Sequence, residues 1–206
     1  LWDKYPVEQV ATPEGYARNP ELVINFYNER RKQLLEVRPN DGHLGLAELE
    51  ADFNVTVVTQ NIDNLHERAG SRRIIHLHGE LTKVCSSRDP YNPHYIKELK
   101  PDEYEVKFGD KAGDGTQLRP FIVWFGEPVP EIETAVNYVE KADIFVIIGT
   151  SMNVYPAAGL LNYVPREAEV YLIDPKPVDV HSMRRIHVIQ KGASEGVREL
   201  RSLLQP

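Results

Sequence analysis

Between residues 60 and 78 the chain gathers groups that could move protons and hold a polar ligand. Gln60, Asn61 and Asp63 follow a β-branched run, Val55-Thr56-Val57-Val58-Thr59, while His76 and His78 fall in and after a second apolar run, Ile74-Ile75-His76-Leu77. A near-neutral imidazole can accept a proton at physiological pH. Carboxamides donate and accept beside it, and a carboxylate accepts. Ligands of open α/β sheets bind outside the carboxyl ends of strands, where both groups fall. There is a plainer reading of each. A strand-end histidine is commonly structural, and Gln60–Asp63 is also an ordinary polar strand-to-helix turn. His76 and His78 lie two apart and so share a face of an extended strand, so periodicity cannot choose between them. Gly79 next to His78 would let a cofactor or substrate backbone approach closely.

The elements that must position these groups alternate along the chain. The run 55–59 reads as a strand buried on both faces, followed by a short helical piece closed by Gly70. Further strands are predicted over Phe121–Phe125, Ile144–Ile148, Val170–Ile173 and His187–Ile189. Helices are predicted over Glu21–Leu35, Asp41–Glu50, Glu131–Lys141, Ala157–Tyr163 and Ser194–Leu204. Leu22, Phe26, Leu34 and Leu35 would form the core face of the first helix, and Leu44, Ala47 and Leu49 that of the second. His43 reads as a helix-start or packing residue, and Ser194 as an N-cap. Tyr27 and Arg30 share one helix face, which by itself suggests an aromatic-cation contact. Residues 81–120, broken by Pro90, Pro93, Pro101, Gly109, Gly113 and Gly115, lack a sustained period and read as a loop-rich insert. Strands alternating with helices predict an α/β fold, a Rossmann-like parallel sheet with helices on both faces, carrying that small module. The division is then 1–52 as a helical region, 53–80 with 121–206 as the sheet domain, and 81–120 as the insert.

Composition narrows the function classes. The 206 residues are 41% hydrophobic and 27% charged, as in an ordinary globular protein. No apolar run reaches the roughly 18–20 residues that span a bilayer. A net charge of −7 argues against nucleic acid and weakly favours lysine-rich protein surfaces. The single cysteine, Cys85, excludes an internal disulfide and makes the cytoplasm the expected compartment. A monomer is expected.

The strings TQNIDNLHERAG and HLHGEL resemble the core signature of sirtuins, the NAD-dependent protein-lysine deacylases. Val123-Trp124-Phe125-Gly126-Glu127 and Gly149-Thr150-Ser151 extend the likeness over nearly the whole chain. ATPEGYARNPEL and FYNERRKQ resemble the bacterial desuccinylase-like branch, class III. The resemblance implies NAD as cofactor and acylated lysine side chains of proteins as substrate. It also implies acyl transfer to ADP-ribose with release of nicotinamide. It selects His78 as the base. Gln60, Asn61, Ile62 and Asp63 become ribose and nicotinamide contacts, with Asn61 beside the reacting ribose. Gly149, Thr150 and Ser151 would meet phosphate or ribose, Asp174 the adenosine ribose, and Ala193, after Gly192, the adenine. Asp174 departs from the asparagine usual in the family, but a carboxylate can still accept from both ribose hydroxyls.

On the substrate side, Val123–Glu127 and Met152–Tyr155 would wall a peptide groove, with Trp124 and Phe125 lining an acyl-lysine tunnel. These aromatics fit an ordinary core equally well. Tyr27 and Arg30, with the small Ala11, resemble a pocket for acidic acyl tails such as succinyl or malonyl. Many sirtuins carry two cysteine pairs around a structural zinc at the insert. Here Cys85 stands alone, with His94 the only added donor, so no metal is expected and Tyr91, Tyr95, Tyr104 and Phe108 would hold the module. The family's opening strand and Gly-Ala-Gly turn are not matched, and trimming of the chain is the favoured explanation. Two alternatives remain: a mono-ADP-ribosyltransferase using the same base, or a non-catalytic NAD-sensing module.

Overall fold

The structure, a computed structural model, describes residues 4–149, 157–178 and 184–205. In chain order the elements are α1 (Val7–Val10), α2 (Pro13–Arg18), α3 (Pro20–Leu34), α4 (Asp41–Glu48), β1 (Val57–Thr59), α5 (Leu65–Ala69), β2 (Ile74–His76) and β3 (Gly79–Ser86). Then follow β4 (Lys97–Glu98), β5 (Leu118–Ile122), α6 (Ile132–Val139), β6 (Ile144–Ile148), α7 (Ala157–Leu160), β7 (Glu169–Ile173), β8 (Ile186–Ile189) and α8 (Ala193–Leu204). The chain folds into two compact units, Leu1–Val37, Thr59–Asn64 and His76–Pro130 in one, Arg38–Val58, Leu65–Ile75 and Glu131–Pro206 in the other. The expected division differs: 38–52 fold with the second unit, and 59–64, 76–80 and 121–130 with the first.

In the first unit, α2 and α3 each begin with proline at a position where the missing N–H is harmless. Thr12 accepts from Gly15 N at 2.9 Å and Asn19 accepts from Leu22 N at 3.2 Å, capping both starts. The buried face of α3 is Val23, Ile24, Phe26, Tyr27, Asn28, Arg31 and Leu34. Leu35, expected in the core, is instead exposed at the C-cap. The insert is more ordered than its composition suggests. β3 pairs antiparallel with β4 and β5, with Cys85 opposite Arg119. Ile24, Val84, Leu99 and Val106 form a core beneath it. Phe108, expected to hold the insert, is 59% exposed. Polar ties do that work: Ser86 Oγ meets Asp114 Oδ2 at 2.5 Å and Thr116 Oγ1 at 3.0 Å. Cys85 is buried, and burial pushes its thiol pKa up to about 12.

Arg31 and Asn28 clasp α3 to residues 104–106. Arg31 Nε donates to Leu81 O at 2.8 Å, and Nη1 to Tyr104 O at 2.7 Å and Asn28 Oδ1 at 2.9 Å. Asn28 Nδ2 donates to Val106 O, and its Oδ1 accepts from Val106 N. Burial pushes the guanidinium pKa down to about 10, so it stays charged at neutral pH. Arg31→Met orphans the Leu81 and Tyr104 carbonyls, each worth roughly 1–3 kcal/mol when buried without a donor. Urea unfolding should therefore show a large loss of stability, and a shift below 0.5 kcal/mol, about the size of an ordinary surface substitution, would contradict the clasp.

The second unit carries the parallel sheet, in the order β6-β7-β8. Ile144–Ile148 is a strand as expected, because its continuous apolar run suits a parallel sheet. α8 closes onto the sheet through Gly196, where an added Cβ would come within 2.2 Å of Ile173 Cγ2. Tyr171, Ile173, Ile189, Val197 and Leu200 form the core there. α4 meets α8 through Gly42 and Gly45, not through Leu44, which is exposed. Small residues let two backbones approach, and apolar periodicity is blind to them. His43 completes a capping box, its Nδ1 accepting from Asn40 N at 3.0 Å, in line with its expected helix-start role. Ser194 is not the N-cap of α8; Gly192 is, without a side-chain bond. Among the described residues no helix is long and apolar enough to cross a membrane.

Candidate active site

The first unit builds its site on two segments that run side by side. Leu77 N donates to Thr59 O at 2.9 Å and Leu81 N to Ile62 O at 2.8 Å, laying 59–62 against 77–81. β1 covers only Val57–Thr59, and its valines are half-buried, so the expected fully buried strand is shorter and more open. Thr59 Oγ1 accepts from Asn61 N at 3.0 Å, which turns the chain out of the strand. Asn61 is exposed there, while Gln60, Ile62 and Asp63 are half-buried.

The geometry separates the two histidines that periodicity could not. β2 stops at His76 and the chain turns through Leu77 and His78, so the strict alternation fails. His76 is buried, with Nδ1 3.0 Å from Asn61 O and Nε2 3.9 Å from Glu80. It braces the Gln60–Asp63 turn. His78 is half-buried beside that turn and bonds to the Gln60 backbone. Desolvation pushes its pKa below the ordinary histidine value, against a smaller opposing pull from the Gln60 bond. The imidazole is therefore neutral at neutral pH, the state a base requires. Activity that depends on it should rise with pH through the histidine pKa, with the acidic limb of kcat/KM below pH ~6.5. A limb well above that value would contradict this placement.

Gly79 does not serve the approach expected of it. Its φ is +85°, and an added Cβ would lie 2.2 Å from Phe121 O, so the bare face receives β5. Beyond β5, Val123 N donates to His78 O at 2.9 Å and Phe125 N to Ala11 O at 3.0 Å. The predicted strand Phe121–Phe125 ends early, at Ile122, as the chain turns at Gly126 with φ +90°. Trp124 is only 2% exposed and takes the core reading, whereas Phe125 is 68% exposed. Trp124 Nε1 donates to Tyr27 Oη at 3.1 Å, and Tyr27 Oη donates to Val10 O at 2.9 Å. The Tyr27 proton is thus already committed and is not offered to an acyl carboxylate in this structure. Arg30 is half-buried and stacks over Phe26, its Cζ 4.7 Å from the ring centroid, not over Tyr27. Ala11 is buried.

Three other predicted residues belong to the second unit. Gly149, with φ +61°, follows β6 and donates to Ile173 O at 3.0 Å. Asp174 follows β7, its N donating to Ile189 O at 3.2 Å and its Oδ1 accepting from Lys176 N at 2.8 Å. Ala193 opens α8 just after β8. All three lie at or after the carboxyl ends of parallel strands, the usual ligand position of such sheets. Thr150, Ser151 and the expected groove wall Met152–Tyr155 lie outside the described residues.

Sequence reasoning missed Arg119 and Asn64, and gave Tyr91 a packing role without its bond to Glu127. A lone arginine within the strand Leu118–Ile122 was the available signal, since a buried guanidinium demands a partner. Gln60 Nε2 and Asn64 Oδ1 are buried and have no hydrogen-bond partner among the described residues. One donor and one acceptor without partners, next to the exposed Asn61, suit a polar ligand that both donates and accepts, as a carboxamide or ribose does.

The Sir2 family profile matches residues 1–156. A protein of Bacteroides thetaiotaomicron named NAD-dependent protein deacylase is 84% identical over 206 residues, covering 100% of this chain and 88% of its own length. A Helicobacter pylori protein of the same name is 46% identical over 200 residues, covering 97% and 85%. A crystal structure of a Sir2 homologue with NAD superposes with a TM-score of 0.82 at 34% identity, covering 100% of this chain and 81% of that one. A Sir2–p53 peptide–NAD+ complex gives 0.71 at 25%, covering 92% and 80%. The chain belongs to the Sir2 family.

Proposed function

We propose that this chain removes acyl groups from protein lysines in an NAD-dependent reaction, with His78 as the base and Arg30 favouring acidic acyl groups. The observation that carries it is His78, neutral-biased and half-buried, beside the Gln60–Asp63 turn. NAD, when bound, would supply an electrophilic ribose carbon bearing nicotinamide and a neighbouring hydroxyl that receives the acyl group. The ring nitrogen of His78 not engaged with Gln60 takes the proton of that hydroxyl. The exposed Asn61 carboxamide orients the ribose, Asp63 accepts from a carboxamide, and Gln60 Nε2 gains an acceptor. Gly149, Asp174 and Ala193 are assigned to the phosphate, adenosine ribose and adenine. Val123–Glu127 are assigned to one wall of the groove beside which substrate backbone lies, although the N–H groups of Val123, Trp124 and Phe125 are already bonded within the unit. Trp124 supports that wall from the core, and Phe125 is its exposed aromatic.

An acidic acyl tail must bring its carboxylate to a cation, because desolvating it unpaired is costly. Arg30 is the assigned partner, and Tyr27 holds Val10 and Trp124 in place behind Ala11. The test is nicotinamide release by the protein with NAD and a lysine peptide. Release that appears only with the acylated peptide is expected; equal release without it would refute deacylation.

A further inference from the structure

Arg119 stands alone as a cation on β5, with its side chain 4% exposed. Its Nη1 and Nη2 each donate to Glu127 at 3.0 Å, a bidentate pair, and Nη2 also donates to Ile122 O at 2.8 Å. The flat guanidinium lies over Trp124, its Cζ 3.8 Å from the ring centroid. Glu127 Oε1 reaches back to accept from Trp124 N at 2.9 Å and from Tyr91 Oη at 3.0 Å. Trp124 is therefore gripped twice, its ring by Arg119 and its backbone by Glu127. Its two neighbours carry the bonds to the rest of the site, Val123 N to His78 O and Phe125 N to Ala11 O. Burial would push the Glu127 carboxyl pKa up, but the bonds and charge of Arg119 carry it below the ordinary value. The pair is thus ionised at neutral pH.

We propose that Arg119 and Glu127 are a positioning pair for the acyl-peptide. They hold the 123–127 wall in register with His78 while their own side chains touch no substrate. This rests on the reading of 123–127 as the peptide wall. Glu127 is then not a substrate contact through its carboxylate, because both oxygens are used within the unit. Gln60–Asp63 are held separately, by Thr59, His76 and Leu81. Loosening the wall should therefore weaken peptide binding more than NAD binding.

The experiment compares steady-state kinetics and urea unfolding of the protein carrying Glu127→Gln, Arg119→Met, or the double change Arg119→Met with Glu127→Leu. Each single change should raise peptide KM about tenfold, the loss of about one charge-assisted hydrogen bond, with a smaller change in KM for NAD. The singles strand one buried charge or its partner groups and should also lose stability. The double change strands neither charge, so its unfolding midpoint should return toward wild type. Its peptide KM should stay raised, since no carboxylate remains for Trp124 N. Recovery of peptide KM together with stability would overturn the positioning role, as would equal rises in both KM values. If the unaltered protein shows no acyl-peptide-dependent turnover, the functional reading itself falls, which is a different failure.

Discussion

His78→Ala is expected to lower acyl-peptide turnover about 10²–10⁴-fold, the usual loss when a positioned general base is removed. The prediction is sharpest when set beside His76→Ala. His76 is buried and spends its ring on Asn61 O and Glu80, so its loss should loosen the Gln60–Asp63 turn and lower stability. It should leave the pH of the acidic limb unchanged, because the titrating base remains. His78→Ala should remove that limb altogether while urea stability changes little, since the half-buried ring bonds to the Gln60 backbone at the surface of the turn and does not fill the core. Profiles of kcat/KM against pH for the two variants separate the roles. Near-full activity in the His78 variant would show that the base lies elsewhere.

Arg30→Met is expected to reduce desuccinylation efficiency roughly 10- to 150-fold, the range for one hydrogen bond to a charged group. Deacetylation should stay within a few-fold. The net charge of −7 gives a field that repels an acidic tail, so a local cation must hold it. Arg30→Lys should recover only part of the loss, because an ammonium cannot make two parallel bonds. Tyr27→Phe offers an internal control. It removes the bond to Val10 O and the acceptor for Trp124 Nε1, so both substrates should suffer together. A large residue at position 11 should exclude longer tails first. The measurement is kcat/KM on matched succinyl- and acetyl-lysine peptides. Equal losses for Arg30→Met on both would make Arg30 a support for the fold and remove the acidic-acyl reading.

What the sequence disclosed followed from local pattern. Ile144–Ile148 and the segment ending at Ile173 are continuous apolar runs, and a parallel sheet leaves such runs no polar face to disguise them. Gln60–Asp63 and the two histidines drew attention because they lie close in sequence and at strand ends, but choosing His78 over His76 rested on the family resemblance. What stayed hidden depends on partners far along the chain. β3 was absent from the reading because its register shifts between Gly79 and Val84, which breaks the alternation a strand would display. Arg31 carries no local signal of its role, because the Leu81 and Tyr104 carbonyls that meet it lie far along the chain. Gly42 and Gly45 carry a helix contact that no count of apolar residues can register. The grip of Arg119 and Glu127 on Trp124 joins a strand to the turn beyond it, and only the folded geometry brings the three together.

Mass spectrometry of the products formed from NAD and succinyl-, acetyl- or unmodified-lysine peptides tests the deacylase assignment most directly. The expected products are nicotinamide, deacylated peptide and acyl-ADP-ribose in equal amounts, with nothing formed from the unmodified peptide. ADP-ribose attached to peptide or protein, or nicotinamide released without loss of the acyl group, would contradict it.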